Sequence, residues 1–421
     1  MSNRYHRTPL PSWAIPAFYV AGAVVAGLLL PRLETRFFPG FGSGWNAGAT
    51  LAIFSSIASG MISMTGIVFA LAFLMVQFSA TAYSPRLVLW LARSPLLWHA
   101  VGVFCATFIY ALAATGWVER AGSSSAPFFS AYIVIAMMLA SVGMFIALID
   151  KLSLLQLNQT LEFTADQGRR VIHQLYPLLE KTDPAVPEAE HPNLEVSQTL
   201  RHVGRPRTVQ ALDVPALLEL ASSGDAIVSV AAAVGDTLVE GTPVLRVYGA
   251  NTIDEARLRR AFAVGDERTF EQDPKYAIRL LVDIAIRALS PAVNDPTTAV
   301  QVLDQIEDLL LRLGRRQLDV GAIRDRTGAL RVVVPFPTWD DFIALAFEEI
   351  RYCGATSVQV MRRMRALASD LIAALPAERH ASILRYRARL DATIAKAFPD
   401  AEDMKEALVE DRQGLGVPRT R

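Results

Sequence analysis

Four long stretches within the first 150 residues carry no charged side chain, and this constrains the fold more than any other feature. They cover residues 12–30, a segment within 47–83 whose core is 57–78, then 95–117 and 127–149. Each supplies the ~20 apolar residues a helix needs to cross the ~30 Å hydrocarbon layer. Residues 1–150 contain seven Arg, no Lys, two Glu and one Asp, a net charge of +4. Residues 151–421 hold 34 basic and 38 acidic side chains, a net charge of −4. The chain is therefore two chemically different objects joined near Asp150. This excludes a simple cytosolic enzyme, a secreted disulfide scaffold, a disordered chain and a nucleic-acid binder driven by bulk charge. The lipid bilayer is the first partner implied. The expected fold class is an α-helical polytopic membrane domain of four spans followed by a mixed α+β cytoplasmic domain.

The first stretch is read as a retained span. It is long for a signal sequence and ends in Leu30-Pro31-Arg32 rather than at a small-x-small site. Four crossings put both termini on one side. That side carries Arg4, Arg7, Arg86, Arg93 and Lys151, against Arg32, Arg36 and Arg120 on the other. Positive charge collects on cytoplasmic flanks, so both termini are expected inside a bacterial inner membrane. Cys105 lies in an apolar run and Cys353 in the charged half, so no disulfide framework is implied and a reducing compartment fits.

Residues 47–83 contain no charge over 37 positions, which as one helix would measure ~55 Å, well beyond the bilayer core. Either the helix tilts, or 47–59 forms a separate segment. At 100° per residue Ser59, Ser63, Gly66, Ala70 and Gln77 fall on one line, with Met61, Met64, Phe69, Phe73 and Phe78 on other sides. Ser55, Ser59 and Ser63 repeat at four-residue spacing, a pattern of close helix contact. Two readings follow: a packing seam between helices, or the lining of a pathway in a homo-oligomer. His99 reads as an interfacial or packing residue.

The expected organisation is a membrane domain over 1–150, an exit helix and linker over 151–200, and a small β-rich subdomain over 201–250. A helical-hairpin subdomain over 251–400 and a charged, loosely ordered tail over 401–421 complete it. The run "VGDTLVEGTPVLRV" (234–247) resembles the half-barrel turn of lipoyl and biotinyl carriers. No lysine lies between Lys181 and Lys275 to accept such a group, so the run reads as a small barrel of structural or docking use.

The hairpin is the strongest local signal. Asp273-Pro274 and Asp295-Pro296 each open a helix as cap and first position. The apolar stripes are Ile278, Leu281, Ile284 and Leu289, then Val300, Leu303, Ile306 and Leu310. The elbow between them is dense in short side-chain oxygens: Ser290, Asn294, Asp295, Thr297 and Thr298. Asp295 serves as a cap on one reading; on another the elbow contacts a small ion, a polar ligand or a neighbouring subunit. One carboxylate does not make a tight metal site. Trp339 is expected to staple its helix against the preceding strand. Asp283, Asp304, Glu307, Asp308, Glu348 and Glu349 are spaced like solvated faces, although Asp304 and Asp308 also fit a basic partner. No phosphate loop, dinucleotide fingerprint, zinc spacing or nucleophile elbow occurs. No catalytic residue, metal site or cofactor is read from the sequence.

The segments "SMTGIVFALAFLMVQFSATAYSPRLV" (63–88) and "LVDIAIRALSPAVNDPTTA" (281–299) resemble a bacterial family of predicted membrane proteins, domain of unknown function 2254. The likeness runs from about residue 13 to about residue 375. It implies a four-span inner-membrane protein with a C-terminal cytoplasmic domain, and it implies no reaction. The functional expectation is an oligomeric channel-like protein with a cytoplasmic gating or assembly domain. The alternative is a membrane-anchored ligand- or protein-binding scaffold without transport activity.

Overall fold

A computed structural model describes residues 13–37, 46–82, 95–121, 128–153, 157–179 and 195–416. The Arg4/Arg7 tail, the Arg86/Arg93 loop, the join at 154–156, the linker at 181–193 and the basic end at Arg419 and Arg421 lie outside the described residues. Contacts divide the chain into two compact units, Met1–Gln159 and Thr160–Arg421.

The first unit contains four apolar helices, α1 (Ala14–Phe37), α2 (Ala47–Ala82), α3 (Pro95–Ala121) and α4 (Phe128–Ser153). Each holds a candidate membrane span, at Ala14–Glu34, Gly48–Leu71, Leu96–Glu119 and Phe128–Asp150. The second stretch is thus one uninterrupted helix of 36 residues. Its length of ~54 Å exceeds the bilayer core. Helix α3 is central and packs against the other three. Its buried side chains include Phe104, Ala106, Tyr110, Ala111 and Ala114. Helix α1 approaches it closely because two glycines make room: a Cβ at Gly27 would lie 2.8 Å from Ala113 Cβ, and one at Gly102 2.6 Å from the Tyr19 ring. Without a hydrophobic drive between helices in lipid, such small-residue contacts and hydrogen bonds hold a bundle together. One bond joins the buried Thr107 and Ser141 hydroxyls of α3 and α4 at 3.0 Å. His99 and Tyr19 join α3 to α1 through a 3.2 Å hydrogen bond.

The second unit is mixed α+β. It begins on α5 (Leu157–Leu175), followed by β1 (Val196–Arg201), β2 (Arg207–Leu212), α6 (Val214–Ser223), β3 (Ile227–Val230), β4 (Thr237–Leu238) and β5 (Pro243–Tyr248). Next come α7 (Glu255–Arg260), β6 (Phe262–Gly265), α8 (Pro274–Ala288), α9 (Pro296–Gly314), β7 (Ala322–Arg324) and β8 (Leu330–Val333). Helices α10 (Trp339–Cys353), α11 (Val358–Ala374), α12 (His380–Ala397) and α13 (Ala401–Ala407) complete it.

The strands form two sheets, ordered β1-β5-β3-β8-β7 and β4-β2-β6. Around 234–247, where a small barrel is expected, β3 and β5 join one sheet and β4 the other. The sheets and α6 share one core, including Val209, Leu217, Val228, Leu238, Leu245 and Val332. Alternation places Val228 and Val230 of β3 inside it, as a half-buried strand requires.

The helical hairpin is α8 and α9, and both caps are as expected. Asp273 accepts from the Tyr276 N–H and Asp295 from the Thr298 N–H, each at 3.1 Å. Helix α5 packs directly on this hairpin at Gly168, where a Cβ would lie 2.9 Å from Ala277 Cβ and 3.1 Å from Leu309 Cδ2.

Two expectations are corrected. First, the carboxylates are not simply solvated: Asp304 and Glu349 stay about half exposed, yet all six meet arginines, many from other helices. Arg363 of α11, nearly buried, pairs with Asp304 and Glu307 of α9. Arg169 of α5 pairs with Asp308 at 2.6 Å. Arg279 joins Asp283 and Glu349, and Glu348 takes Arg351 and Arg389. The basic partner of Asp304 and Asp308 is therefore within the chain. Second, the segment after Asp400 is ordered as far as described. Arg362 is 1% exposed. It donates to the Glu406 and Gly416 carbonyls, both at 2.6 Å, because a buried guanidinium must find acceptors. Asp411 is buried too and accepts from the Gly414 and Gly416 N–H groups. Trp339 also ties α10 to the start of α12, donating from Nε1 to the Arg379 carbonyl at 3.0 Å.

Partial burial pushes the Asp308 pKa up, but hydrogen bonds from Arg312 and Arg169 and their charges outweigh it and hold the carboxyl below its ordinary value. A depressed carboxylate stabilises the fold fully above its unfolded pKa near ~4, and that stability is lost as pH falls through the folded value. Urea midpoints of the full chain in detergent should therefore drop on acidification below pH ~4. Asp308→Asn should be less stable at pH ~7 and lose its disadvantage progressively below pH ~4.

Candidate functional site

On α2 the helix periodicity splits the surface cleanly. Phe54, Ala58, Met61 and Val68 are buried and belong to the clusters that include α3. Ser55, Ser59, Ser63, Gly66 and Gln77 are exposed on this chain. The polar stripe therefore does not pack against the other three described helices of the unit. The Ser63 hydroxyl turns back to the Ser59 carbonyl at 3.2 Å, so it satisfies itself along its own helix. A Cβ at Gly60 or Gly66 would meet nothing within 4 Å. Phe69 and Phe73, which the periodicity set apart from the stripe, are exposed as well.

The elbow residues come together as one turn. The backbone reverses through Asn294, whose φ is +50°, a left-handed conformation that asparagine tolerates better than most residues. Ser290 donates its hydroxyl to the Arg287 carbonyl at 2.7 Å, and its own carbonyl accepts the Asn294 N–H at 2.9 Å. Asp295 engages Thr298, accepting both its N–H and its hydroxyl. Thr298 is buried, whereas Asn294 and Thr297 are exposed. Local turn and cap bonds thus occupy most of these oxygens.

The structure also assembles a site that spacing alone did not reveal. A cavity of about 400 Å³ opens in the second unit where α6, α8 and α10 begin. Leu175, Val234, Val334 and Phe336 supply apolar wall; Asp273 and Lys275 are among its polar members. Gln272, at φ +53°, accepts the Leu212 N–H at 3.0 Å and donates to the Leu212 carbonyl at 3.1 Å, fixing the entry to α8. Asp273 is 2% exposed and is held by the Arg268 guanidinium through both oxygens. The Tyr176 ring packs edge-on against Phe336, with centroids 6.0 Å apart. Burial and the nearby Asp273 charge push its phenol far up, so it stays protonated. Lys275 makes no ion pair among the described residues. An ammonium beside apolar walls suits a small ligand with one anionic or polar end. The two sequence signals for this cavity, the Gly235-Asp236 turn and the Asp273 cap, lie 38 positions apart and meet only in the fold. Among the described residues no group of three or more His, Cys, Asp and Glu gathers to hold a metal.

Gly235 makes that meeting possible. Its φ is +93°, and a Cβ there would lie 2.6 Å from both Arg268 Nη2 and Asp273 Oδ2. Gly235→Ala should cost at least ~1–3 kcal/mol from the backbone conformation alone. Denaturant titration of the full chain checks this; a loss below ~0.5 kcal/mol would show that the turn and the ion pair are not in contact.

Comparison with known proteins gives the chain a family. A family model described as "Predicted membrane protein (DUF2254)" matches residues 11–370. An uncharacterized protein of Mycobacterium bovis is 28% identical over 379 residues, covering 85% of this chain and 71% of its own. An uncharacterized protein of Mycobacterium tuberculosis matches with the same identity and coverage. No solved structure matches. The four apolar helices, the mixed α+β unit and the extent of the family match together show a membrane protein of the domain of unknown function 2254 family, to which this chain belongs.

Proposed function

We propose that this chain works as a homo-oligomeric, channel-like protein of a bacterial inner membrane, with both termini cytoplasmic and the α+β unit gating or assembling it. The observation that carries the reading is the outward α2 face with Ser55, Ser59, Ser63 and Gly66 exposed on the single chain. Small side chains facing acyl tails forgo packing that a neighbouring helix would supply, and small residues at four-residue spacing favour close helix approach. Self-satisfied hydroxyls such as that of Ser63 leave a face that is polar without being charged. The excess of Arg and Lys at Arg4, Arg7, Arg86, Arg93 and Lys151 supports cytoplasmic termini. A second reading, a membrane-anchored ligand- or protein-binding scaffold, draws on the cavity beside Lys275.

Purified protein in nanodiscs and proteoliposomes separates the two readings. A ring of subunits with ion flux supports conduction; a monomer without conductance under any ion, potential or tension supports the scaffold. Gly66→Leu is the diagnostic variant, because the open space around Gly66 lets the single chain accept it. It should shift the assembly towards smaller species and cut flux at least tenfold while helicity is unchanged. Leu139→Phe, at a 61% exposed position of α4, should alter neither assembly nor flux.

A further inference from the structure

A second concave surface lies in the membrane unit, between the end of α1 and the start of α4. It is a groove of about 560 Å³ walled by Leu33, Phe37, Phe129 and Ile133, with Glu34 and Ser130 also lining it. The candidate spans end at Glu34 and begin at Phe128, which sets the groove at the boundary between hydrocarbon and headgroups. Its apolar walls are open: Leu33 is 45% exposed, Phe37 65% and Phe129 40%. Such a surface in a bilayer is covered by lipid.

The polar member of the lining gives that lipid an identity. Glu34 is 7% exposed. It accepts the Phe129 N–H at 2.7 Å, the Ser130 N–H at 3.2 Å and the Ser130 hydroxyl at 3.3 Å, and so caps the N-terminus of α4. A carboxylate offers about four acceptor sites, and three are used here. One acceptor position is left over, and Glu34 and Ser130 are the polar members of a lining that is otherwise hydrocarbon. An ammonium with three N–H donors complements both the free acceptor and the negative charge, whereas a glycerol headgroup offers a hydroxyl donor to the acceptor but no positive charge to the carboxylate, and a quaternary ammonium offers charge but no N–H.

We propose that this groove binds one phospholipid with a primary-amine headgroup, its amine on Glu34 and an acyl chain along Leu33, Phe129 and Ile133. This holds whether or not the protein conducts.

Full-length protein in mild detergent, incubated with equal amounts of phosphatidylethanolamine, phosphatidylglycerol and phosphatidylcholine, tests the proposal by native mass spectrometry. One phosphatidylethanolamine should be retained at least fivefold over either competitor. Leu33→Trp fills the groove without touching the α4 cap and should remove the retained lipid. Glu34→Gln keeps an acceptor for the cap but removes the charge, and should erase the preference for the amine. Equal retention of all three lipids overturns the proposal, as does a preference that survives Leu33→Trp. A preference that survives Glu34→Gln overturns the assignment of the amine to that carboxylate.

Discussion

Scarcity of charge in the first 150 residues is the constraint from which the rest follows. With no water in the hydrocarbon layer, each backbone N–H and C=O must be satisfied inside its own segment, and for this sequence that means helices. The same rule governs the side chains. The Thr115 hydroxyl donates to the Ala111 carbonyl at 2.9 Å and that of Ser141 to the Met137 carbonyl at 2.8 Å. Glu34, the one acidic residue among the buried polar side chains of the first unit, answers the free N–H groups at the start of α4. Several polar groups in this unit are thus spent on helix ends and backbone.

In the second unit water is available, and the balance shifts to caps and ion pairs. Seven of its helices start on an Asp, Ser or Thr whose side chain accepts a backbone N–H: α6, α7, α8, α9, α10, α11 and α13. Between helices, arginine does the joining. Its planar fork reaches two acceptors at once and tolerates burial better than lysine. Arg363 bridges α11 to α9, Arg169 bridges α5 to α9, and Arg362 fastens the C-terminal segment to α11. Removing one partner of such a pair leaves a buried charge uncompensated, so these residues specify which helices are neighbours.

Local signals were legible in the sequence and tertiary ones were not. The four spans follow from composition, and the starts of α8 and α9 follow from Asp-Pro pairs, because caps depend only on residues three positions apart. Strand β1 was absorbed into an expected linker, and β6 was unforeseen. Each is short and gains definition only by pairing, β1 with β5 and β6 with β2. The carboxylates of α9 looked solvated because their arginines sit on α5 and α11, far away in sequence. The tail looked loose for the same reason: its order depends on a buried Arg362 that no local pattern announces. The cavity beside Lys275 and the groove beside Glu34 are likewise meetings of distant segments.

The distribution of small residues in the membrane unit is the feature that links architecture to function. Gly27 and Gly102 are consumed where α1 crosses α3, since each lies against a neighbour that a Cβ would strike. The outer face of α4 is built differently, with Leu139, Val142, Ile146 and Ile149 exposed, side chains that match lipid tails. Helix α2 follows neither pattern. It buries Phe54, Ala58, Met61 and Val68 within the chain, yet keeps Ser59, Ser63 and Gly66 outward, flanked by Ile62, Phe69 and Phe73. A helix meant only to face lipid gains nothing from serine and glycine there, because lipid tails neither bond hydroxyls nor fill the steps they leave. A second copy of the same helix would fill them, since close approach needs small residues on both surfaces. It is this unspent packing capacity, not polarity alone, that makes α2 the natural axis of an assembly in the reading proposed here.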